Sequence, residues 1–98
     1  MKWSIIWSPK AKAEYFSILD YLQEVWGESS VHGYIDKVER VLSQLLQQPF
    51  MFPSISQNKG IRRCIISKQT TLYYRVAEDK IELITLFDTR QHPDKFEL

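Results

Sequence analysis

Cysteine occurs once, at Cys64, so the chain holds no internal disulfide and no thiolate-rich metal cluster. Histidine is almost as scarce. His32 and His92 are the two, and neither has a pair of carboxylates at ligand spacing, which argues against a metal centre. The three glycines stand alone at 27, 33 and 60, leaving no Gly-rich loop to cradle a phosphate and no Gly-x-Ser-x-Gly elbow for a nucleophile. No apolar run approaches the ~20 residues that a membrane-spanning helix needs. Residues 1–8 are too short and too polar for a signal peptide, so a soluble, cytoplasmic protein without membrane contact is expected. At 98 residues the chain reads as one domain, 1–98, with a single core and no cofactor domain; no cofactor is expected.

Acidic residues are missing from the middle of the chain. None falls between Glu39 and Glu78, whereas Arg40, Lys59, Arg62, Arg63, Lys68 and Arg75 do, although the net charge is only +1. The first half carries Glu14, Asp20, Glu24, Glu28, Asp36 and Glu39 along what reads as solvated helix. Such a separation suits a basic surface that meets an acidic partner or phosphates, and the near-neutral total argues against broad coating of nucleic acid. It also suits a sheet edge that uses charge to resist aggregation.

What is present is a regular succession of patterns. Residues 2–7 carry β-branched and aromatic side chains and read as a first strand. Ser8 and Pro9 end it and open a helix, with Ser at the cap and Pro at the first helical position. Apolar residues at 11, 15, 18 or 19, 22, and 25 or 26 keep helical spacing as far as Gly27. After a connection at 28–30, Val31, Tyr34 or Ile35, Val38, Val41 or Leu42, and Leu45 or Leu46 mark a second helix that ends before Pro49. So short a connection makes the two an antiparallel hairpin. Residues 50–60 read as irregular, 61–67 as a strand, and 72–87 as two strands turning at Glu78-Asp79. That turn pairs Val76 with Ile81, Arg75 with Glu82, Tyr74 with Leu83 and Tyr73 with Ile84. The expected class is α+β: an N-terminal strand at the sheet edge and a two-helix hairpin packed on a small antiparallel sheet.

In that register Tyr74, Val76, Ile81, Leu83 and Phe87 lie under the helices, while Tyr73, Arg75, Glu82, Ile84 and Leu86 form a second, half-apolar face. Either a partner segment docks on that face or the loop bearing Phe50, Met51 and Phe52 folds back over it. Cys64 reads as a small buried strand residue. The last strand delivers Arg90, Gln91 and His92 before Pro93. Arg62, Arg63, Arg90 and His92 form the set most able to bind phosphate, since guanidinium groups pair with phosphate and an imidazole can exchange a proton near neutral pH. As a metal-independent ribonuclease site, Arg62 and Arg90 would steady the charge on the phosphorane and His92 would exchange the proton. The set has no clear second acid or base. His92 equally reads as a capped loop histidine or as a protein-recognition residue.

The order strand, Ser-Pro helix, second helix ending near Pro49, Gly60-Ile61-Arg62, Leu72-Tyr73-Tyr74-Arg75-Val76 and Arg90-Gln91-His92-Pro93 resembles the RelE/ParE superfamily of toxins from bacterial type II toxin–antitoxin modules. The resemblance covers nearly the whole chain. It implies two helices against an antiparallel sheet, and a cognate antitoxin that wraps and neutralises the toxin and alone brings it to operator DNA. It also implies a role in plasmid stabilisation. RelE-like members cut messenger RNA on the ribosome with basic residues and often a C-terminal Tyr. Here Arg62 and Arg90 match basic positions, but Cys64 and Thr71 stand where a Lys and an Arg belong, and Phe96, which has no exchangeable proton, where the Tyr belongs. The sequence is therefore more similar to the ParE branch, whose members inhibit DNA gyrase without being enzymes. The resemblance implies target contacts at Arg62, Arg63, Arg90, Gln91 and His92 and antitoxin contacts at Tyr73, Arg75, Ile84 and Leu86, with an antitoxin that is acidic where it meets 40–77. The alternatives are a RelE-type endoribonuclease and a non-toxic antitoxin-binding module.

Overall fold

Ser8 sets the path of the chain. Its Oγ accepts a hydrogen bond from the Ala11 backbone N–H at 3.0 Å and caps α1 (Pro9–Val25), with Pro9 in the first turn where no N–H is needed. The same oxygen donates to the Ile84 carbonyl at 2.9 Å, fixing the helix start to the far end of the chain. This computed structural model describes residues 2–55 and 58–90. The strand before Ser8 is β1 (Ser4–Trp7). Gly27, at φ +95°, reverses the chain between α1 and α2 (Glu28–Gln47), a backbone conformation that a side chain would strain. Only Trp26 and Gly27 form the connection. The three residues 28–30, expected to lie in it, are the first turn of α2, where Glu28 faces the positive end of the helix dipole.

Ala11, Ile18 and Leu22 from α1 and Tyr34, Val38 and Leu45 from α2 are buried, on the apolar stripes that the spacing predicted. They pack on a five-stranded sheet in the order β1-β5-β4-β3-β2, with β2 (Ser54–Ile55), β3 (Asn58–Ile65), β4 (Thr70–Ala77) and β5 (Lys80–Asp88). The α+β class holds, with two differences. The sheet is mixed, because β1 joins the edge of β5 in parallel, Ile5 opposite Ile81 and Trp7 opposite Leu83. Within the segment expected to be irregular, Ser54 and Ile55 pair with β3 as a further short strand, and β3 starts at Asn58.

The hairpin turns at Glu78-Asp79, where Glu78 takes φ +57°, and pairs Val76, Arg75 and Tyr74 with Ile81, Glu82 and Leu83 as expected. The next pair departs from expectation. Tyr73 faces Thr85, and Ile84 is the extra residue of a bulge. Because strand side chains alternate, one inserted residue exchanges the faces beyond it. Leu86, expected on the outer face, is 1% exposed in the core opposite Leu72, and Phe87, expected in the core, is not among its residues.

The bulge has a cause in α1. β1 stops at Trp7, so beyond Leu83 the edge of β5 lacks a neighbouring strand. Ser8 takes the Ile84 carbonyl, and Glu14 Oε1 accepts from the Leu86 N–H at 3.0 Å and the Thr85 hydroxyl at 2.7 Å. Side chains thus complete an edge that would otherwise present unpaired backbone groups under a helix.

The loop after α2 folds toward the helix side of the sheet, not over the outer face. Tyr74 donates its hydroxyl to the Pro49 carbonyl at 2.8 Å, Phe52 meets the Tyr74 ring edge-on at 6.5 Å, and Phe50 meets Trp3 at 5.9 Å. Cys64 is buried in the core, and burial pushes its thiol up to about 11. Among the described residues no helix is long and apolar enough to cross a membrane.

Glu14→Ala leaves the Leu86 N–H and the Thr85 hydroxyl without their acceptor, and is expected to lower stability by about 2–3 kcal/mol in urea denaturation. Glu14→Gln keeps a neutral acceptor and should cost about 1 kcal/mol.

Candidate functional site

Arg62 and Arg63 are neighbours on β3 and therefore project to opposite faces, Arg62 beside Tyr74 and Arg63 beside Tyr73. Arg62 is engaged. Its Nη1 donates to the Phe52 carbonyl at 2.7 Å and the Phe50 carbonyl at 3.4 Å, and the guanidinium lies 5.0 Å from the centre of the Phe50 ring. It clamps the 50–55 segment against the sheet. Arg63 is exposed on the other face.

Arg90 lies at the opposite end. It leaves β5 two residues beyond Asp88 and turns back to grip it, Nη2 to Oδ2 at 2.7 Å and Nε to Oδ1 at 3.0 Å, while its backbone N–H reaches Oδ1 at 2.9 Å. The Thr70 hydroxyl donates to Oδ2 at 2.5 Å. Burial pushes the Asp88 carboxyl up, but the bonds from Arg90 and Thr70 outweigh it and hold the group below the ordinary carboxylate value. A two-pronged bond to a carboxylate that is 1% exposed fixes the plane of the guanidinium.

The Arg62 row, at Tyr74, and the Asp88 row, at Thr70, are four strand residues apart, or about 13 Å at ~3.3 Å per residue. Arg62 and Arg90 therefore belong to different ends of the sheet. Gln91 and His92 lie outside the described residues. Of the residues expected to meet an antitoxin, Arg75 is exposed and ion-paired with Glu82 at 3.0 Å, Ile84 is half-buried at the bulge, Tyr73 is 9% exposed and Leu86 is in the core.

Arg90 also borders a cleft of about 290 Å³ between the α1–α2 turn and the end of the sheet, with Leu22, Trp26, Gly33 and Lys37 on the helix side and Ser67 and Gln69 on the strand side. Tyr34 adjoins it from α2. Its hydroxyl is buried and makes no hydrogen bond of full geometry among the described residues, although the Thr70 hydroxyl is near enough to act as a weak partner; burial above all raises its pKa, against the lowering effect of Thr70. Sequence reading placed Tyr34 in the apolar stripe, Asp88 at a strand end and Trp26 on helix α1, and none of them in a site. The Asp-x-Arg spacing at a strand exit was the available signal, since a turn there returns the guanidinium onto the carboxylate.

Two helices packed on a sheet of this order form the fold of RelE/ParE-like toxins. The sequence profile described as "ParE toxin of type II toxin-antitoxin system, parDE" matches residues 5–93, and the chain belongs to that family. No individual curated protein matches it significantly by sequence. Among solved structures it is similar to a chain of the chromosomal ParDE toxin–antitoxin system of P. aeruginosa, with a TM-score of 0.73, 18% identity, and coverage of 88% of this chain and 95% of that one. The YoeB/ParE toxin of Agrobacterium tumefaciens gives 0.66 at 15% identity, covering 87% and 96%. A chain of the E. coli DinJ-YafQ toxin–antitoxin complex gives 0.63 at 11%, covering 93% and 97%. These likenesses show a shared fold.

Asp88→Asn removes a buried charge that four hydrogen bonds support, and should lower stability by about 2–3 kcal/mol at pH 7, because Arg90 is partly exposed and regains some hydration. The Asp88 pKa is lower folded than unfolded, so its contribution is present above the ordinary aspartate value of 3.8 and is lost as pH falls through the folded value. A urea series from pH 7 to 2 should converge wild type and Asp88→Asn at the acid end. Tyr34→Phe removes a buried hydroxyl that makes no hydrogen bond of full geometry among the described residues, and is expected to leave stability unchanged or raise it by up to about 1 kcal/mol in the same assay.

Proposed function

We propose that this chain is the toxin of a type II module that arrests growth by binding a cellular protein, DNA gyrase, and is neutralised by a cognate antitoxin. The observation that carries the reading is the state of the two arginines a nuclease would need. Arg62 is spent on two loop carbonyls and Arg90 on Asp88, about 13 Å of strand apart. A ribonuclease site requires its cations and its proton donors to converge on one phosphate. An arginine held flat at the end of a sheet, by contrast, is a preorganised contact for a protein surface, where few such anchors dominate binding. The target contact is assigned to Arg90 with Gln91 and His92 after it, and the antitoxin to the outer face carrying Arg75 and Ile84.

The test uses one induced culture lacking the antitoxin. Gyrase in its extract should fail to supercoil a relaxed plasmid while primer extension finds messenger RNA intact. Arg90→Ala should raise the toxin dose required for arrest about tenfold, the effect of losing ~1.4 kcal/mol of contact energy. Cut messenger RNA with normal supercoiling would replace this reading with the endoribonuclease, and normal growth with tight antitoxin binding would replace it with the non-toxic module.

A further inference from the structure

The cleft beside Arg90 collects hydrogen-bond donors that the fold leaves unused. Asp88 engages Nε and Nη2 of Arg90, which leaves Nη1 uncommitted among the described residues. Lys37 is exposed on α2 and forms no ion pair among them. The Ser67 Oγ accepts from the N–H groups of Gln69 and Thr70, so its own proton is directed elsewhere. Among the described residues no carboxylate lines the cleft, and Asp88 is saturated by its bonds to Thr70 and Arg90. The apolar part of the wall is formed by buried Leu22 and by Trp26, a residue that is 63% exposed, with Ser30 and Tyr34 beside them.

We propose that this cleft receives a carboxylate side chain and its apolar neighbour from a protein partner, the carboxylate between Lys37 and the free edge of Arg90 and the apolar group against Leu22 and Trp26. The proposal rests on the reading of Arg90 as a target contact and names the chemistry that Arg90 meets. Charge favours a peptide over a nucleic acid. Asp88 cancels Arg90, so the cleft carries the single positive charge of Lys37, which suits one monoanion. A polyanion requires a continuous track of cations. On either side of Trp26 the chain instead presents exposed Glu24 and Glu28. An aromatic wall beside a paired arginine is the composition of a protein-contact hot spot.

Gly33 supplies the means of closing the cleft without harming the fold. A Cβ built there meets nothing within 4 Å, and the residue is helical and lines the cleft, so a leucine at 33 fills the cavity while improving helix propensity. The experiment titrates the full ¹⁵N-labelled chain with acetyl-Leu-Glu-Leu-amide and follows the Trp26 indole N–H and the Arg90 Nε–H. Saturable shifts at both signals are expected. The Leu-Gln-Leu peptide and the Lys37→Ala protein should each weaken binding at least about fivefold, a loss near that of one charged contact. Gly33→Leu should abolish the shifts with no fall in melting temperature. Equal binding of the Gln peptide, a response to inorganic phosphate instead, absence of saturable shifts, or shifts that survive Gly33→Leu would each overturn the proposal. If the peptide fails while supercoiling is still lost in the induced culture, the inference falls and the gyrase reading stands; failure of the supercoiling assay alone has the opposite meaning.

Discussion

Two polar side chains at the start of α1 complete a sheet edge that the first strand leaves unfinished, and the rest of the structure depends on them. β1 covers β5 only as far as Leu83. From there Ser8 and Glu14 supply the donor and the acceptor that a longer strand would have provided from its backbone. The substitution permits the bulge at Ile84, and the bulge turns Leu86 inward and brings Asp88 to the buried face at Thr70. Without that extra residue the last strand would present Asp88 to the other side. The grip on Arg90 is therefore a remote result of where the first helix begins.

The Asp88 carboxylate is a support and Arg90 is what it supports. A buried acid is expensive to hold unless its oxygens are satisfied, and here the Thr70 hydroxyl, one backbone N–H and two N–H groups of the Arg90 guanidinium satisfy them. The return is orientation: an arginine that does not search rotamers loses less entropy when it meets a partner. Arg62 shows the opposite use of the same side chain, its charge turned inward to hold the loop carbonyls of Phe50 and Phe52. The residue type alone could not distinguish these roles.

Most of the architecture was legible because it rests on local signals. The Ser8-Pro9 cap, the stripes ending at Leu22 and Leu45, and the charge-matched hairpin at Glu78-Asp79 each follow from a few adjacent residues. What escaped was set by contacts distant in sequence. The bulge arises from Glu14 acting 72 residues away, and nothing between Tyr73 and Leu86 announces it. The short strand at Ser54-Ile55 is secured by Arg62 and by the Arg63 N–H bonding the Pro53 carbonyl, in a segment that reads as irregular. In the site, Arg90 was visible as a basic residue at a strand exit. Tyr34 and Trp26 were not, because apolar spacing describes a helix face and does not report which of its residues borders a cleft.

The parallel seam between the first strand and the last has a consequence for synthesis. Ser4 pairs with Lys80, and the Ser8 hydroxyl bonds the Ile84 carbonyl, so two segments that meet in the sheet are made far apart in time. A nascent chain on the ribosome can coil its two helices, but it has no β5 for them to rest on until residues 80–88 have been made. Such long-range closure makes folding a late event. Premature termination before codon 80 then yields a polypeptide without β5, the strand that joins β1 to β4, and without the arginine at its exit.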